Sequence, residues 1–573
     1  MTIDGDQVRI WYHCRTHSAV SQPFSFVEEP KKLVKSLLSF LFSKEEELGY
    51  DPLVYRVGED YIYELDDNGT RRFFRTWGPS LTDRRSNRIS GRMTRVWKVV
   101  EVDSTSSDAT VLGEPAILKD VWIDQSAMTE REVQEALFKD IEDYWGNVNV
   151  GTEPRLKKVR RAARKLQDQV RSGEYKKWFL TILLDYEGRR SRPLPKSARQ
   201  RSGLLLGQQV LPPGSLTVET RPLSRREPNS NLPHLFSPKK QYRSLVEEVC
   251  IPVGDIERLD QVFHVLDGVI RPLLLMFGAR WVHRDISAGN VLGHPQTTPG
   301  GEPYYQAKLG DLEYARRYPP SSDYTAATDP KTGTPFFMAC EILLGVPFAP
   351  PLVETALEET SSEETSSDDE TSEFTIRYAP THDQRQRTRR PVIPNILHDL
   401  ESIWWIATWT VLTRTSHPPS IELSRRIFVN TVQVYANSPR IEFFEERRLI
   451  AHVLPELTEV AAGLESAGGH QLALFVRHTD SLDSAAVDLL HSRGFKLFLA
   501  FFRAVSSRVP AFALTARSNK ALVRTGVSQR KRPRLKDDDN YRPGAGDSNA
   551  PSDSGKGAKR SKTRNHKSGS GSK

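Results

Sequence analysis

The sequence predicts an α+β fold, with a small β-rich part followed by a larger helical part. Three observations carry this. VYRVGEDYIYELDDNGTRRFFR (54–75) alternates apolar and polar residues around an Asn-Gly pair, the signature of a hairpin. SGRMTRVWKVVEV and PAILKDVWI read as further strands. QVFHVLDGVIRPLLLMFG (261–278) is apolar at helical spacing, and HDLESIWWIATWTVL (398–412) is apolar on nearly every side. A helix of the second kind belongs at the centre of a domain.

Taken in order, residues 1–50 form an N-terminal extension. Residues 1–21 carry little pattern. After Pro30, Leu33, Val34, Leu37, Leu38 and Leu41 follow helical spacing and predict an amphipathic helix. Residues 51–250 hold the strands and a helix, TEREVQEALFKDIEDYW, opened by Thr129. Within them, about 150–240 reads as a basic insert. RLKKVRRAARK (155–165) has seven bases in eleven residues. A solvated helix face or mobile arm is favoured there over a docking or nucleic-acid patch. YKKWFLTILLDYEG (175–188) is a strand candidate, and 190–240 reads as loop. Residues 251–515 form the helical part, with Pro272 expected to kink its first long helix. Inside it, an acidic loop at about 354–390 is expected to be disordered. ETALEETSSEETSSDDETSE (354–373) has nine acids and no base, and its hydroxyls suit an acid-directed kinase. Residues 516–573 read as a disordered basic tail.

Composition limits the function. The 573 residues are 38% hydrophobic and 27% charged. No stretch of about 18 apolar residues is present, so no membrane span is expected. The first residues lack a basic segment followed by an apolar run, so no secretory signal is expected. Cys14, Cys250 and Cys340 are widely spaced, which points to a reducing, intracellular compartment and no structural zinc. The net charge of +8 resides in the tail. Ser528–Lys573 carries 13 Lys/Arg and 5 Asp/Glu, leaving 68 of each elsewhere. QRKRPRLK (529–536) and KGAKRSKTRNHK (556–567) read as nuclear import signals, giving a nuclear or nucleo-cytoplasmic expectation with the import machinery as a partner. Non-specific nucleic-acid contact is the weaker alternative.

The chemistry lies in widely separated strings. Phosphoryl transfer from ATP needs a lysine on the α/β-phosphates, a glutamate to hold it, a carboxylate base and oxygen ligands for Mg²⁺. Lys119 ends the apolar run of PAILKD and is the candidate phosphate anchor. In the following helix Glu132 is the first candidate for its partner and Glu135 the second. WVHRDISAGNVL (281–292) brackets a polar turn between apolar pairs and fits HRDxxxxN. Asp285 is the candidate base and Asn290 a metal ligand. KLGDLEYAR (308–316) supplies Asp311, 26 residues after Asp285, as the second metal ligand.

TGTPFFMACE (332–341) resembles the GTPxYMAPE end of a kinase activation segment. In order, these strings resemble the protein kinase superfamily over about 50–515. More closely, FLFSKEEELGYDPLVYRV, SGRMTRVWKV, MTEREVQEALF, WVHRDISAGNVL, KLGDLEYA, GTPFFMACEILL and HDLESIWW resemble the fungal-type protein kinase family. The resemblance implies a two-lobed kinase fold, with a small β-rich N-lobe and a larger helical C-lobe, and ATP- and Mg²⁺-dependent Ser/Thr protein kinase activity. It implies that Thr334 approaches Asp285, and that Arg284 binds a phosphate on 312–333, with Ser321, Ser322, Tyr324, Thr325, Thr328 and Thr332 as acceptors. It also implies that Glu341 forms a buried ion pair, and that Asp399 accepts hydrogen bonds from the His283–Arg284 turn.

The pattern departs from that family in the parts that grip phosphate. Gly91 stands alone where a GxGxxG run is usual, and Met93 occupies a small-residue position. Ser287, placed among the nucleotide contacts, replaces a lysine. Asp311-Leu312-Glu313 replaces Asp-Phe-Gly, and Cys340 replaces a proline. A slow or selective enzyme is therefore expected. The alternatives are a pseudokinase scaffold and a small-molecule phosphotransferase of aminoglycoside-kinase type. The latter shares DxxxxN but typically carries HGD, and Arg284 with GTPFFMACE favours a protein substrate. The identity of that substrate is not written in the sequence.

Overall fold

Sheet strands form where the sequence alternates, and the long helices form where apolar residues repeat every three to four positions. The computed structural model describes residues 1–82, 91–193, 238–320, 334–348, 392–428, 438–480, 484–506 and 508–516. It is an α+β structure in which residues 1–518 form one compact unit. The acidic stretch 354–373, the hydroxyls of 321–332 and the basic tail clusters lie outside the described residues.

The N-terminal segment holds five short strands: β1 (Thr2–Asp4), β2 (Gln7–Arg9), β3 (Trp11–His13), β4 (Ser18–Val20) and β5 (Phe24–Ser25). Elements of two or three residues are too short to show a period, so no pattern announced them. The expected amphipathic helix forms as α1 (Pro30–Phe42), with Pro30 in its first turn. None of its residues is buried. A single turn, α2 (Glu45–Leu48), follows.

The alternating segment makes three strands rather than one hairpin: β6 (Val54–Val57), β7 (Asp60–Asp67) and β8 (Thr70–Thr76). Gly58 (φ 62°) takes the first turn, and Asn68 (φ 53°) with Gly69 (φ 90°) takes the second. Left-handed backbone at both residues of a two-residue turn suits the twist of the flanking strands, which is why Asn-Gly occurs there. The sheet continues with β9 (Arg95–Val102) and β10 (Ala116–Asp124). Two further strands, β11 (Ile182–Arg190) and β12 (Lys239–Val246), complete seven in the antiparallel order β11-β12-β10-β9-β8-β7-β6.

The stretch read as a basic insert at about 150–240 carries regular structure over most of its described residues. Helix α3 (Glu130–Asn147) buries Val133, Leu137, Ile141 and Trp145, a stripe of i, i+4 spacing. Helix α4 (Arg160–Ser172) packs beside it through Ala163, Leu166, Gln167 and Val170, with its basic residues on the outer face. Gln167 donates to the carbonyls of Trp145 (2.9 Å) and Val148 (2.8 Å), and Arg155 donates to the Gly278 carbonyl (2.7 Å). This stretch is core-forming, and β11 and β12 are integral strands. Lys157, Arg160, Arg161, Arg164 and Lys165 form a solvated face, as favoured from composition, while Arg155 is drawn into the packing.

The helical part begins with β13 (Ile251–Pro252) and α5 (Leu259–Gly278). This helix is long and apolar enough to cross a membrane by length and composition, and 15 of its 20 residues are buried in the core. It is a single element running through Pro272. Short strands β14 (Trp281–Val282), β15 (Val291–Thr297), β16 (Pro303–Leu309) and β17 (Arg316–Arg317) surround the catalytic-loop string. Then come α6 (Cys340–Leu344), α7 (Ile396–Thr413), α8 (Pro418–Ile427), α9 (Ser438–Glu446), α10 (Thr458–Asp480) and α11 (Ser484–Ser506). Helix α7 is buried from Ile396 to Leu412, as its apolar girth demands. Its tryptophans keep their N–H groups satisfied, Trp404 on the Leu464 carbonyl (2.7 Å) and Trp405 on Glu401 (2.8 Å).

The sheet meets the helical part at a buried ion pair. Lys308, near the end of β16, contacts Glu248 at 2.5 Å and donates to the Phe179 carbonyl at 2.8 Å. Glu248 also accepts from the Thr181 amide (2.9 Å) and hydroxyl (2.8 Å). These bonds fix the strand that leads into Asp311.

Candidate active site

Lys119 projects from β10 into a cluster of carboxylates. Its Nζ lies 2.9 Å from Glu130, 2.7 Å from Asp311 and 3.9 Å from Glu313. Burial works against its charge, but the three acids outweigh it and hold the ammonium well above its ordinary pKa. Lys119 is therefore a fixed cation in a low-dielectric cleft.

The glutamate partner is Glu130, which corrects the expectation of Glu132 or Glu135. Thr129 caps α3, and Glu132 closes the capping box. The Thr129 amide donates to the Glu132 carboxylate (2.7 Å), and the Glu132 amide donates to Thr129 Oγ1 (3.2 Å). Glu132 is thus turned back over the helix terminus and exposed. Glu135 is exposed on the outer face. Glu130, in the first helical position, is left facing the sheet and is buried. The signal was present in the sequence: Thr129-Glu-Arg-Glu132 is itself a capping-box string, and a glutamate committed to that box is not available to a lysine.

The loop after β14 is held from below by α7. Asp399 accepts from the His283 amide (2.7 Å) and the Arg284 amide (2.9 Å). This contact supports Arg284 in left-handed backbone, φ 74°. His283 Nε2 lies 3.0 Å from the Gly310 carbonyl, and its Nδ1 accepts from the Asp285 amide at 3.3 Å. These contacts fit one neutral tautomer, protonated on Nε2. Burial depresses the His283 pKa despite nearby Asp399, which agrees with that state. Asn290 donates through Nδ2 to the Asp285 carbonyl (2.8 Å), which leaves Oδ1 as its acceptor. Ser287 does not reach into the cleft. It is buried, and its Oγ accepts from the Gly289 amide (3.3 Å), so its hydroxyl shapes the loop.

Asp285 accepts from the Thr334 amide at 3.2 Å. The Thr334 approach thus runs through its backbone. Burial raises the Asp285 pKa to about 7, reinforced by Asp311 and Glu313. Asp311 behaves oppositely. Burial pushes it up, but Lys119 and Arg92 override that and keep it below the ordinary range. Two nearby carboxylates with separated proton affinities are the arrangement expected of a base beside a permanently ionised ligand. Asp311 itself adopts left-handed backbone, φ 59°. The Gly310 amide donates to the Asn290 carbonyl (3.0 Å), tying the two loops together.

Glu341 is buried and braced by His398 at 2.9 Å and by the Phe348 amide at 2.7 Å. His398 lies in the first turn of α7, one residue before Asp399, so a single helix start supports both the catalytic loop and the 334–348 segment. Sequence reasoning missed His398, because nothing local links positions 57 residues apart. It also missed Arg92, which follows Gly91. Arg92 contacts Glu313 and donates to the Tyr314 hydroxyl at 2.8 Å.

Among the described residues no group of three or more His, Cys, Asp or Glu side chains is arranged to hold a metal ion; the acids beside Lys119 are engaged with cations. Glu130, Asp311 and Glu313 bring three carboxylates against two cations, Lys119 and Arg92. Asn290 Oδ1 adds a neutral oxygen.

Comparison with known proteins follows the same line. A family model described as fungal protein kinase matches residues 1–411. The match takes in the N-terminal strands and α1, which the resemblance in the sequence had left partly aside. A search of the curated proteins returned no match.

Proposed function

Because the chain belongs to the fungal protein kinase family, we propose that it is an ATP- and Mg²⁺-dependent protein kinase of two-lobed fold acting on serine or threonine hydroxyls. The observation that carries this reading is the convergence of Lys119, Glu130 and Asp311 beside the proton-accepting Asp285.

In the mechanism, Lys119 holds the α/β-phosphates of ATP and is itself aligned by Glu130. Asn290 and Asp311 would hold Mg²⁺, which supplies charge neutralisation at the phosphates. Asp285 orients the acceptor hydroxyl. The hydroxyl oxygen bonds to the γ-phosphorus as the bond to the β,γ-bridging oxygen breaks. The hydroxyl proton goes to Asp285, and ADP leaves. The Thr334 amide fixes the base and brings the 334–348 segment to it, which suits an extended peptide better than a small alcohol. The basic tail clusters, 529–536 and 556–567, are proposed as nuclear import signals.

Transfer of labelled γ-phosphate to the protein itself and to a generic basic substrate tests this reading, with Asp285→Asn and Asp311→Ala alongside. Transfer by the parent chain and loss of about 10²–10⁴-fold in Asp285→Asn is the expected result. The contact of Arg92 with Glu313 across the cleft favours one other reading, a pseudokinase scaffold. ATP binding without transfer by any form would establish that instead.

A further inference from the structure

We propose that Arg92 is a second phosphate anchor of the nucleotide cleft, parked on Glu313 and Tyr314 until a nucleoside triphosphate draws it onto its phosphate oxygens. The inference rests on the kinase reading above.

The backbone around Arg92 is fixed, so only the side chain has freedom. Its carbonyl accepts from the Trp122 amide at 2.9 Å, on the strand that carries Lys119. The Gly91 amide donates to the Arg15 carbonyl at 2.9 Å, which pins the segment to the N-terminal strands. Gly91 (φ 123°) and Met93 (φ 49°) on either side take left-handed conformations. The chain is therefore shaped to present residue 92.

The guanidinium lies over the Tyr314 ring (5.3 Å to its centre), contacts the Glu313 carboxylate and donates to the Tyr314 hydroxyl. Its buried Nε has no hydrogen-bond partner among the described residues. The same Glu313 oxygen that meets Arg92 lies 3.9 Å from Lys119 Nζ. Two cations thus converge on one carboxylate next to Asp311. With 31% of its side chain exposed, Arg92 is open to a ligand entering the cleft.

A guanidinium presents a planar fork of donors that matches a pair of phosphate oxygens. A triphosphate offers it more negative charge than Glu313 does, so exchange is electrostatically downhill. The chain has reason to use it. Met93 stands where a small residue would let backbone amides approach phosphate, and Ser287 places no cation in the cleft. Arg92 supplies a positive charge on the Met93 side, where backbone amides are kept from phosphate. The competing role is a bolt, in which Arg92 only holds the cleft closed.

Calorimetric titration of the full chain in Mg²⁺ buffer separates the two. The probes are a non-hydrolysable ATP analogue and adenosine, against the parent, Arg92→Ala and Arg92→Lys. A phosphate anchor predicts analogue binding about tenfold weaker in Arg92→Ala, unchanged adenosine binding, and partial recovery in Arg92→Lys. Analogue binding as tight as the parent's, or tighter, in Arg92→Ala overturns the proposal in favour of the bolt. If Arg92→Ala does not fold, Arg92→Lys decides, since losing the fork must still weaken the analogue and spare adenosine. A parent chain that binds neither probe defeats the kinase reading itself, an outcome distinct from failure of Arg92 alone.

Discussion

The two sides of the cleft are built on opposite principles. On the catalytic-loop side, polar groups are matched individually: Asp399 takes two amides, His283 uses both ring nitrogens, and Asn290 donates to a carbonyl. On the Lys119 side, full charges oppose one another. Lys119 and Arg92 are set among Glu130, Asp311 and Glu313. Hydrogen-bonded neutral and backbone groups give rigidity without needing a ligand. A cluster of opposed charges can rearrange when a ligand adds its own. Asp285 is thus held by the fold, while Lys119 and Arg92 are held by their own counter-ions.

Substitutions on the two sides should therefore differ in kind. Asp399→Ala leaves two buried amides without an acceptor and should cost about 2–5 kcal/mol of stability. Chemical unfolding measures this, and an unchanged midpoint would show that the loop does not depend on α7. Glu130→Gln acts on the charged side. It weakens the alignment of Lys119 and should lower kcat/KM about ten- to a hundredfold while shifting the unfolding midpoint little. A large fall in stability instead would erase the distinction between the two sides.

The pH dependence links them, because Asp285 belongs to one side and responds to the acids of the other. As a base it must be ionised, so kcat/KM should rise about tenfold per pH unit below about 7 and level off above. Stability has the opposite sign. An unfolded aspartate titrates near 4 (about 3.9), so between there and about 7 the folded chain binds the extra proton. Its contribution is present at low pH and is lost as pH rises through that window. Asp285→Asn should flatten this part of the stability profile.

How much of this was legible follows from distance along the chain. The catalytic loop could be read because its residues lie within one twelve-residue string, and the α+β division because β7, β8, α5 and α7 are long enough to show a period. The partners of Glu341 and Asp399 are formed by tertiary contact, and only Asp399 was reached, through the family resemblance. The solvated outer face of α4 was legible from its bases, whereas the Ala163, Leu166 and Val170 stripe beneath was obscured by them. Strands β1–β5 gain their hydrogen bonds from one another, which no local pattern records.

The smallest predicted effect sharpens the same contrast within a single helical turn. Glu130 and Glu132 are two residues apart, of the same type and on the same α3, yet one faces Lys119 and the other caps the helix. Glu132→Gln retains an acceptor for the Thr129 amide and should cost no more than about 1 kcal/mol, with nucleotide affinity unchanged. Glu130→Gln should show the reverse, a loss of activity at nearly constant stability. Parallel measurement of unfolding midpoint and ATP-analogue affinity in the two variants reads both. If Glu132→Gln loses activity and Glu130→Gln does not, then the capping box opens in solution and Glu132 takes the lysine. The exchange is geometrically excluded as long as Thr129 holds both ends of the box.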